Sequence, residues 1–283
     1  MSHFSIAGLQ LALPCGDNLA VIAKEIAKAK QRFPWLDMIV LSELCSYGPE
    51  KKYAESLPSA AENFYCQLAK EHNLWLIPGS LFEKHDDKIF NTTSVINNKG
   101  EVVERYRKVF PFYPYEAGIE QGNEFVVFDV PQGRIGVAIC YDLWFPEIAR
   151  TLACKGAEVI VYPTMTGTID RPIELILAQA TAATNQCYVL AVNTVGALGN
   201  GQSIAVAPEG DIIYQATNNA ELIPIEIDFN RVRRSRQRGI HNLGQPLKSF
   251  RENKTAFPIY SENQAENKNL STLGPLIIPD KEN

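Results

Sequence analysis

Short apolar segments alternate with amphipathic ones along most of this chain, and this alternation constrains the fold more than any other feature. In some places two apolar segments enclose an amphipathic stretch, as FSIAGLQLAL and MIVLSE enclose the stretch that begins at Asp17. In others two apolar segments flank a tight turn, as in FVVFDV-PQG-RIGVAIC. The first pattern is typical of β-α-β units and the second of β-hairpins. Together they predict an α/β fold with a mixed sheet or two sheets.

Several helix starts are marked by residues that cap or open helices. We predict a helix with Asp17 as its N-cap and an apolar face made of Leu19, Ile22, Ala23, Ile26 and Ala27. Ser59 and Glu62 form a capping-box pattern ahead of a second helix. No linker interrupts the chain before about residue 250, so we expect one domain over residues 1–250. The polar segment 251–283 is expected to be a tail that packs on the surface or on a partner subunit.

Composition narrows the possible partners. The 283 residues are 46% hydrophobic and 21% charged, and the net charge is -5, which is ordinary for a globular protein and gives no basic field for nucleic acid or anionic membranes. The arginine-rich segment 231–238 is therefore expected to be a solvated helix or an ion-paired subunit contact. The N-terminus has no basic region before its apolar stretch, and no apolar window approaches 18 residues, so we expect a cytoplasmic protein.

Three reactive side chains lie at the ends of three predicted strands, of which the first two named here are apolar. Cys140 ends RIGVAIC, Glu43 ends MIVLSE, and Lys108 ends EVVERYRK. Strand ends are where α/β folds gather functional side chains, although each residue alone is more often structural. The three types are chemically complementary, since a thiol can act as nucleophile, a glutamate as base and an ammonium as oxyanion donor. A helix that starts at Pro146 would add positive dipole potential near the cysteine.

Motifs for other kinds of site are absent or weaker in this sequence. None of the six cysteines forms a CxxC pair, so neither a zinc site nor a disulfide framework is indicated. The HExxH, P-loop and GxSxG motifs are absent. A Cys–His pair stays open, but none of His3, His72, His85 and His241 ends an apolar strand.

An ordered set of motifs resembles the carbon–nitrogen hydrolase (nitrilase) superfamily. The motifs are LSELCSYG, YRKVFPFYPYEAG, GVAICYDLWFPEIAR, KGAEVIVYPT and ATNQCYVLAVN. The resemblance implies a single-domain, four-layer αββα sandwich that pairs into dimers or higher homo-oligomers and needs no cofactor or metal. It places the catalytic set on Glu43, Lys108 and Cys140, with Glu116 positioning the substrate or the lysine. It also implies attack of Cys140 on an amide carbonyl, a thioester intermediate, and an oxyanion held by Lys108 and the N–H of Tyr141.

The resemblance also bears on the substrate. Nitrilases carry tryptophan and glutamate directly after the cysteine, whereas Tyr141 and Asp142 stand here, which favours amides over nitriles. The lysine motif is nearest to that of short-chain aliphatic amidases. Trp144 replaces an arginine common in the family, which favours small or uncharged amides over omega-amide acids and N-carbamoyl amino acids. Substrate contact is expected from five residues: Tyr47, Tyr141, Trp144, Tyr162 and Thr164. An acyltransferase and a non-catalytic interaction protein stay open as alternatives.

Overall fold

The computed structural model describes residues 2–260 and 267–278, and within them β-α-β units and β-hairpins follow one another as the sequence predicts. The strands are β1 His3–Gln10, β2 Met38–Leu41, β3 Trp75–Ile77, β4 Leu81–His85, β5 Lys88–Ile96, β6 Val102–Arg107, β7 Val126–Val130, β8 Gly133–Val137, β9 Val159–Pro163, β10 Tyr188–Val192, β11 Ile204–Val206, β12 Ile212–Gln215 and β13 Glu221–Asp228. The helices are α1 Leu19–Arg32, α2 Ala60–Glu71, α3 Pro146–Cys154, α4 Arg171–Asn185, α5 Phe229–Arg238, α6 Pro246–Glu252 and α7 Lys268–Ser271.

The strands form two mixed sheets. The first has the order β13-β1-β2-β3-β5-β4, with β6 paired to β5. The second has the order β12-β11-β10-β9-β8-β7. Each sheet has three parallel strands, namely β1, β2 and β3 in the first and β8, β9 and β10 in the second. The hairpins predicted from the turns add antiparallel strands, including the pairs β5–β6 and β7–β8.

Both faces of the central strands are buried, and this places the sheets between helices. In β2, Met38 and Val40 point into a core shared with the second sheet, whereas Ile39 and Leu41 share a core with Ile22 of α1. Successive side chains of a strand point to opposite faces of the sheet, and in β2 the side chains on both faces are apolar. Helices α3 and α4 contribute to the core on the side of the second sheet. The layers are therefore helix, sheet, sheet and helix, which confirms the αββα sandwich.

The start of α1 and its apolar face differ in detail from the sequence prediction. Asn18 occupies the N-cap of α1, while Asp17 accepts a 3.0 Å hydrogen bond from the N–H of Leu19. Asn18 takes that place because its side chain donates to the Pro14 and Cys45 carbonyls and is buried there. On the apolar face, Ala27 is exposed. The start of the helix is thus fixed by a tertiary contact that local sequence does not reveal.

The capping box of α2 is only half formed. Ser59 accepts a 3.1 Å hydrogen bond from the N–H of Glu62, as predicted. The Glu62 carboxylate instead accepts two hydrogen bonds from Arg105 of β6, at 2.7 and 2.8 Å, and one from Ser94 of β5. A bidentate guanidinium is a stronger partner for a carboxylate than one backbone N–H. Glu62 therefore joins α2 to the first sheet.

The arginine-rich segment forms α5 and binds within its own chain. Arg233 pairs with Glu158 at 2.8 Å, and Arg236 donates to the Gln186 and Ala157 carbonyls. These contacts tie α5 to the second sheet, so an ion-paired contact is present but lies inside the subunit. Of the tail predicted over 251–283, residues 261–266 and 279–283 lie outside the described part. No helix in residues 2–260 and 267–278 is long and apolar enough to cross a membrane.

Candidate active site

Glu43, Lys108 and Cys140 meet where the two sheets face each other. Glu43 follows β2, Lys108 follows β6 and Cys140 follows β8, as the strand-end argument predicts. The Nζ of Lys108 donates to Glu43 Oε1 at 2.8 Å and to Glu116 Oε2 at 2.7 Å. Glu43, Lys108 and Cys140 are buried, and all four side chains line one cavity. The structure thus brings together the four residues proposed for catalysis.

Cys140 lies in an unusual backbone conformation. It is the first residue of a short 3-10 turn, Cys140–Trp144, and its φ is 45°. A left-handed conformation costs an L-residue about 1–2 kcal/mol, so the surrounding structure must hold it there. Among these contacts, Asp142 accepts a 2.9 Å hydrogen bond from the N–H of Ile139. The turn presents the thiol to the cavity rather than continuing the strand.

Asp142 also connects the nucleophile turn to the lysine segment. Its carboxylate accepts hydrogen bonds from the Tyr106 hydroxyl at 2.7 Å and from the N–H of Phe110 at 2.9 Å. Both partners belong to the segment that carries Lys108. Burial raises the pKa of Asp142 to about 6, and the hydrogen bonds limit this rise. Asp142 therefore fixes the relative position of two reactive side chains contributed by different sheets.

Asn91 is a site residue that the sequence analysis missed. It lies in β5, is fully buried, and donates from Nδ2 to Glu43 Oε1 at 2.8 Å and to Glu116 Oε1 at 3.3 Å. These bonds orient the two carboxylates around the lysine. The sequence signal that could have indicated Asn91 is an amide side chain inside the strand IFNTTSVIN. A buried polar group needs a hydrogen-bond partner, so such a residue is expected beside other polar groups.

A second buried carboxylate lies on the other side of the nucleophile. The Cys140 Sγ is 3.8 Å from the Thr166 hydroxyl, which donates to Glu174 Oε1 at 3.1 Å. Glu174 also accepts from the Trp144 indole at 3.4 Å and pairs with buried Arg171 at 2.7 Å. This network holds Thr166 beside the sulfur. Sequence analysis missed it, because a glutamate in the first turn of α4 looks like a helix-dipole residue.

Burial and neighbouring charges set the protonation states of the cluster. Burial and the nearby Glu43 carboxylate raise the pKa of the Cys140 thiol well above its usual value, although Lys108 opposes this. Burial also raises the pKa of Glu43, again against the effect of Lys108. For Lys108, burial alone would lower the pKa, but Glu43, Cys140 and Glu116 together raise it well above its usual value. The resting cysteine is therefore a thiol that needs a base, beside a lysine that stays charged.

The cavity is small and largely apolar outside the reactive cluster. Its volume is about 210 Å³. Its lining residues are Glu43, Leu44, Pro49, Lys51, Phe82, Lys108, Phe112, Tyr115, Glu116, Ile119, Cys140 and Met165. Among these described residues there is no histidine, so the cavity offers no partner for the alternative Cys–His pair.

All five expected substrate contacts lie outside this lining, Tyr47, Tyr162 and Thr164 among them. The Tyr47 hydroxyl donates to Glu55 at 3.0 Å, and its ring stacks on Tyr53. Tyr162 is fully buried in the core around the second sheet. Thr164 is buried, and its carbonyl accepts a 3.2 Å hydrogen bond from the N–H of Glu43. Thr164 thus contacts the backbone of a site residue, whereas the other two rings pack elsewhere.

Tyr141 and Trp144 lie at the edge of the site. The Tyr141 ring packs against Phe112, with 4.7 Å between ring centroids, and Phe112 lines the cavity. The Trp144 ring lies 6.0 Å from the Tyr141 ring, and its indole N–H points to Glu174. Neither side chain is among the cavity-lining residues. Their roles toward a substrate stay predictions.

A four-layer sandwich that buries a cysteine, a lysine and a glutamate at adjoining strand ends defines a class of thiol enzymes that cleave carbon–nitrogen bonds. The pattern of the carbon–nitrogen hydrolase family matches residues 7–237. This chain therefore belongs to the carbon–nitrogen hydrolase family, as its motifs predict. The match includes Glu43, Lys108, Glu116 and Cys140 within its bounds.

Similar proteins agree with this assignment. Omega-amidase NIT2-A of Xenopus laevis is 30% identical over 275 residues, which cover 86% of this chain and 98% of the relative. Deaminated glutathione amidase of Bos taurus is 31% identical over 228 residues, or 70% of each chain. The crystal structure of Saccharomyces cerevisiae Nit3, a member of branch 10 of the nitrilase superfamily, has a TM-score of 0.78 at 29% identity and covers 83% of this chain and 94% of that chain. The chain is an amidase acting on carbon–nitrogen bonds, which confirms the predicted enzyme class.

Proposed function

We propose that Cys140 is the nucleophile, Glu43 the general base, and Lys108 the main oxyanion donor of this amidase. The observation that carries the proposal is the position of Lys108 Nζ, 2.8 Å from Glu43 and 2.7 Å from Glu116, in the cavity that Cys140 lines. Glu116 then holds the lysine in place. The N–H of Tyr141 is the second oxyanion donor, because the first N–H groups of a helical turn have no partner within that turn.

The proposed reaction has two stages. Glu43 takes the thiol proton as the Cys140 sulfur attacks the amide carbon, and the carbonyl electron pair moves to an oxyanion beside Lys108. The oxyanion collapses, the C–N bond breaks, and protonated Glu43 gives its proton to the leaving nitrogen. Glu43 then takes a proton from water, whose oxygen attacks the thioester; the C–S bond breaks, and protonated Glu43 returns the proton to the sulfur. The products are ammonia or an amine, a carboxylic acid, and the free thiol.

The cavity favours the amide of a short chain. At about 210 Å³ it is smaller than the roughly 300–1,000 Å³ of drug-sized ligand sites. Its walls beyond the cluster include Phe82, Ile119 and Met165, which suit a short aliphatic segment. We therefore propose a small amide as the substrate. An omega-amide is a second candidate, because NIT2-A of Xenopus laevis carries the name omega-amidase.

A substrate panel with a trapping agent tests the proposed function. We expect ammonia release from short aliphatic amides or omega-amides and less from N-carbamoyl amino acids. Hydroxylamine should divert the thioester to a hydroxamate, because a better nucleophile then competes with water. Both products can be measured colorimetrically in the same samples. No ammonia from any amide would contradict the proposal, and a strong preference for added amines over water would indicate an acyltransferase.

We also propose that the chain forms a homodimer through α4. Ile169, Ile173 and Ile176 are 98%, 47% and 63% exposed, and the last two lie on one face of α4 because they are three residues apart. Adjacent exposed apolar side chains of this size mark an interaction surface. A second copy of the chain is the partner that the family resemblance suggests.

The substitution Ile176→Asp should weaken this dimer. A carboxylate buried without a partner costs several kcal/mol, so we expect the dissociation constant to rise by about 100-fold or more. Sedimentation velocity at several concentrations measures the shift. Val21→Asp on α1, where Val21 is 50% exposed, is the matched control and should leave the dimer unchanged. A wild-type protein that is monomeric at micromolar concentrations would refute the interface.

A further inference from the structure

The cavity contains one cation that has no role in the proposed mechanism. Lys51 lines the cavity together with Lys108, but only Lys108 pairs with carboxylates. Among the ion pairs of residues 2–260 and 267–278, none involves Lys51. Its neighbour Lys52 pairs with Glu50 instead. A positive charge in a largely apolar wall is thus available to a ligand.

The loop that carries Glu116 holds the Lys51 ammonium in place. Its Nζ donates to the carbonyl of Ala117, the residue after Glu116. At Gly118 a Cβ atom would lie 2.9 Å from this nitrogen, and the φ of Gly118 is 80°, so glycine leaves the space that the ammonium uses. An ammonium has three N–H donors, and the Ala117 carbonyl takes one of them. Donors therefore remain for an anion in the cavity.

The charges of the reactive cluster show why a second cation matters. Glu43 and Glu116 carry two negative charges when ionised, and Lys108 carries one positive charge. A substrate with a carboxylate would meet a net negative cluster, and like charges in a partly buried site repel. Lys51 balances the remaining charge at the exposed side of the cavity. An anionic substrate is thereby accommodated without changing the catalytic residues.

We propose that Lys51 binds the carboxylate of an omega-amide acid, meaning a short dicarboxylic acid with one end converted to an amide. The proposal rests on the proposed function, since the amide carbon lies at Cys140. The aliphatic segment then lies along the apolar wall, and the carboxylate meets the Lys51 ammonium. Trp144 in place of the family arginine favoured uncharged amides over omega-amide acids. This proposal revises that prediction, because the cation that binds the acid is Lys51, which lies in a different loop from Trp144.

The substitution Lys51→Gln tests the proposal with a matched substrate pair. Succinamate and butyramide have four-carbon chains and the same reacting amide, but only succinamate carries a carboxylate. We expect the ratio of kcat/KM for succinamate to that for butyramide to fall by about 10- to 100-fold, mainly through KM, as for the loss of a charge-assisted hydrogen bond. Lys52→Gln, which removes the adjacent lysine outside the cavity, should leave the ratio as in the wild type.

Each other outcome is informative. A Lys51→Gln ratio equal to that of the wild type, with both substrates slowed alike, would overturn the proposal and assign Lys51 to holding the Glu116 loop. A wild-type preference for butyramide over succinamate would also overturn it, while leaving the amidase mechanism intact. Failure of the wild type to hydrolyse either substrate would refute the proposed small-amide function and this inference together. Lys51→Glu should lower succinamate turnover further than Lys51→Gln, since it places a negative charge at the carboxylate site.

Discussion

Replacing Cys140 with alanine is expected to lower amide hydrolysis by about 10⁴-fold or more, because the thioester can no longer form. The rest of the cluster stays in place, because Lys108 donates to Glu43 and to Glu116 and neither hydrogen bond involves the sulfur. The folded state should remain, with a change in unfolding free energy of about 1 kcal/mol, because only one buried sulfur is lost. Ammonia release and thermal unfolding measure the two effects.

A second cysteine gives the control for this variant. Cys154 is an exposed free cysteine at the end of α3, and Cys154→Ala should keep wild-type turnover. Mass spectrometry after incubation with an amide should detect an acyl adduct in the wild type and in Cys154→Ala, but none in Cys140→Ala. Appreciable turnover by a folded Cys140→Ala protein would assign the chemistry to another residue.

The substitution Glu43→Gln is expected to lower kcat by about 10³-fold, within the range for loss of a general base. The introduced glutamine is nearly isosteric with glutamate, and its carbonyl oxygen can still accept hydrogen bonds from Asn91 and Lys108, so the geometry is kept. The variant cannot take the thiol proton, and the Cys140 thiol has a raised pKa. Pre-steady-state measurement of thioester formation should therefore show acylation itself slowed.

The pH dependence provides an independent measurement of the same role. Burial raises the pKa of Glu43, and activity requires its ionised form, so activity should fall as the pH drops through that raised value. The acid limb of kcat/KM is thus expected above the ordinary glutamate value of 4.5 and should be missing in Glu43→Gln. Glu120→Gln, an exposed glutamate paired with Lys88, should keep both rate and profile. A wild-type profile in Glu43→Gln would exclude Glu43 as the base.

The parts of the fold that follow from local periodicity could be predicted from the sequence. Strand β2 was visible because Met38 to Leu41 is a continuous apolar run, and α3 because Pro146 opens a helix. Glu43, Lys108 and Cys140 could be found because each follows a predicted strand, Lys108 directly and the other two within three residues. Their assembly into one cluster needed the family resemblance, because periodicity does not say which strands of two sheets face each other.

The remaining site residues depend on tertiary neighbours. Asn91 looks like an ordinary polar strand residue until β5 is seen to place it between Glu43 and Glu116. Lys51 lies in a short turn of charged residues, and it contacts Ala117 and lines the cavity. Such positions are set by long-range packing. Local sequence therefore gives no sign that distinguishes them from surface polar residues.

The site is divided between two sheets that Asp142 joins, and this division has a consequence for folding. The first sheet supplies Glu43 and Lys108, the second supplies the cysteine turn, and Asp142 joins the two through Tyr106 and Phe110. A chain in which the sheets have not docked therefore holds the Cys140 thiol apart from Glu43 and Lys108, the proposed base and the proposed main oxyanion donor. We therefore expect acyl chemistry only in molecules whose two sheets have docked.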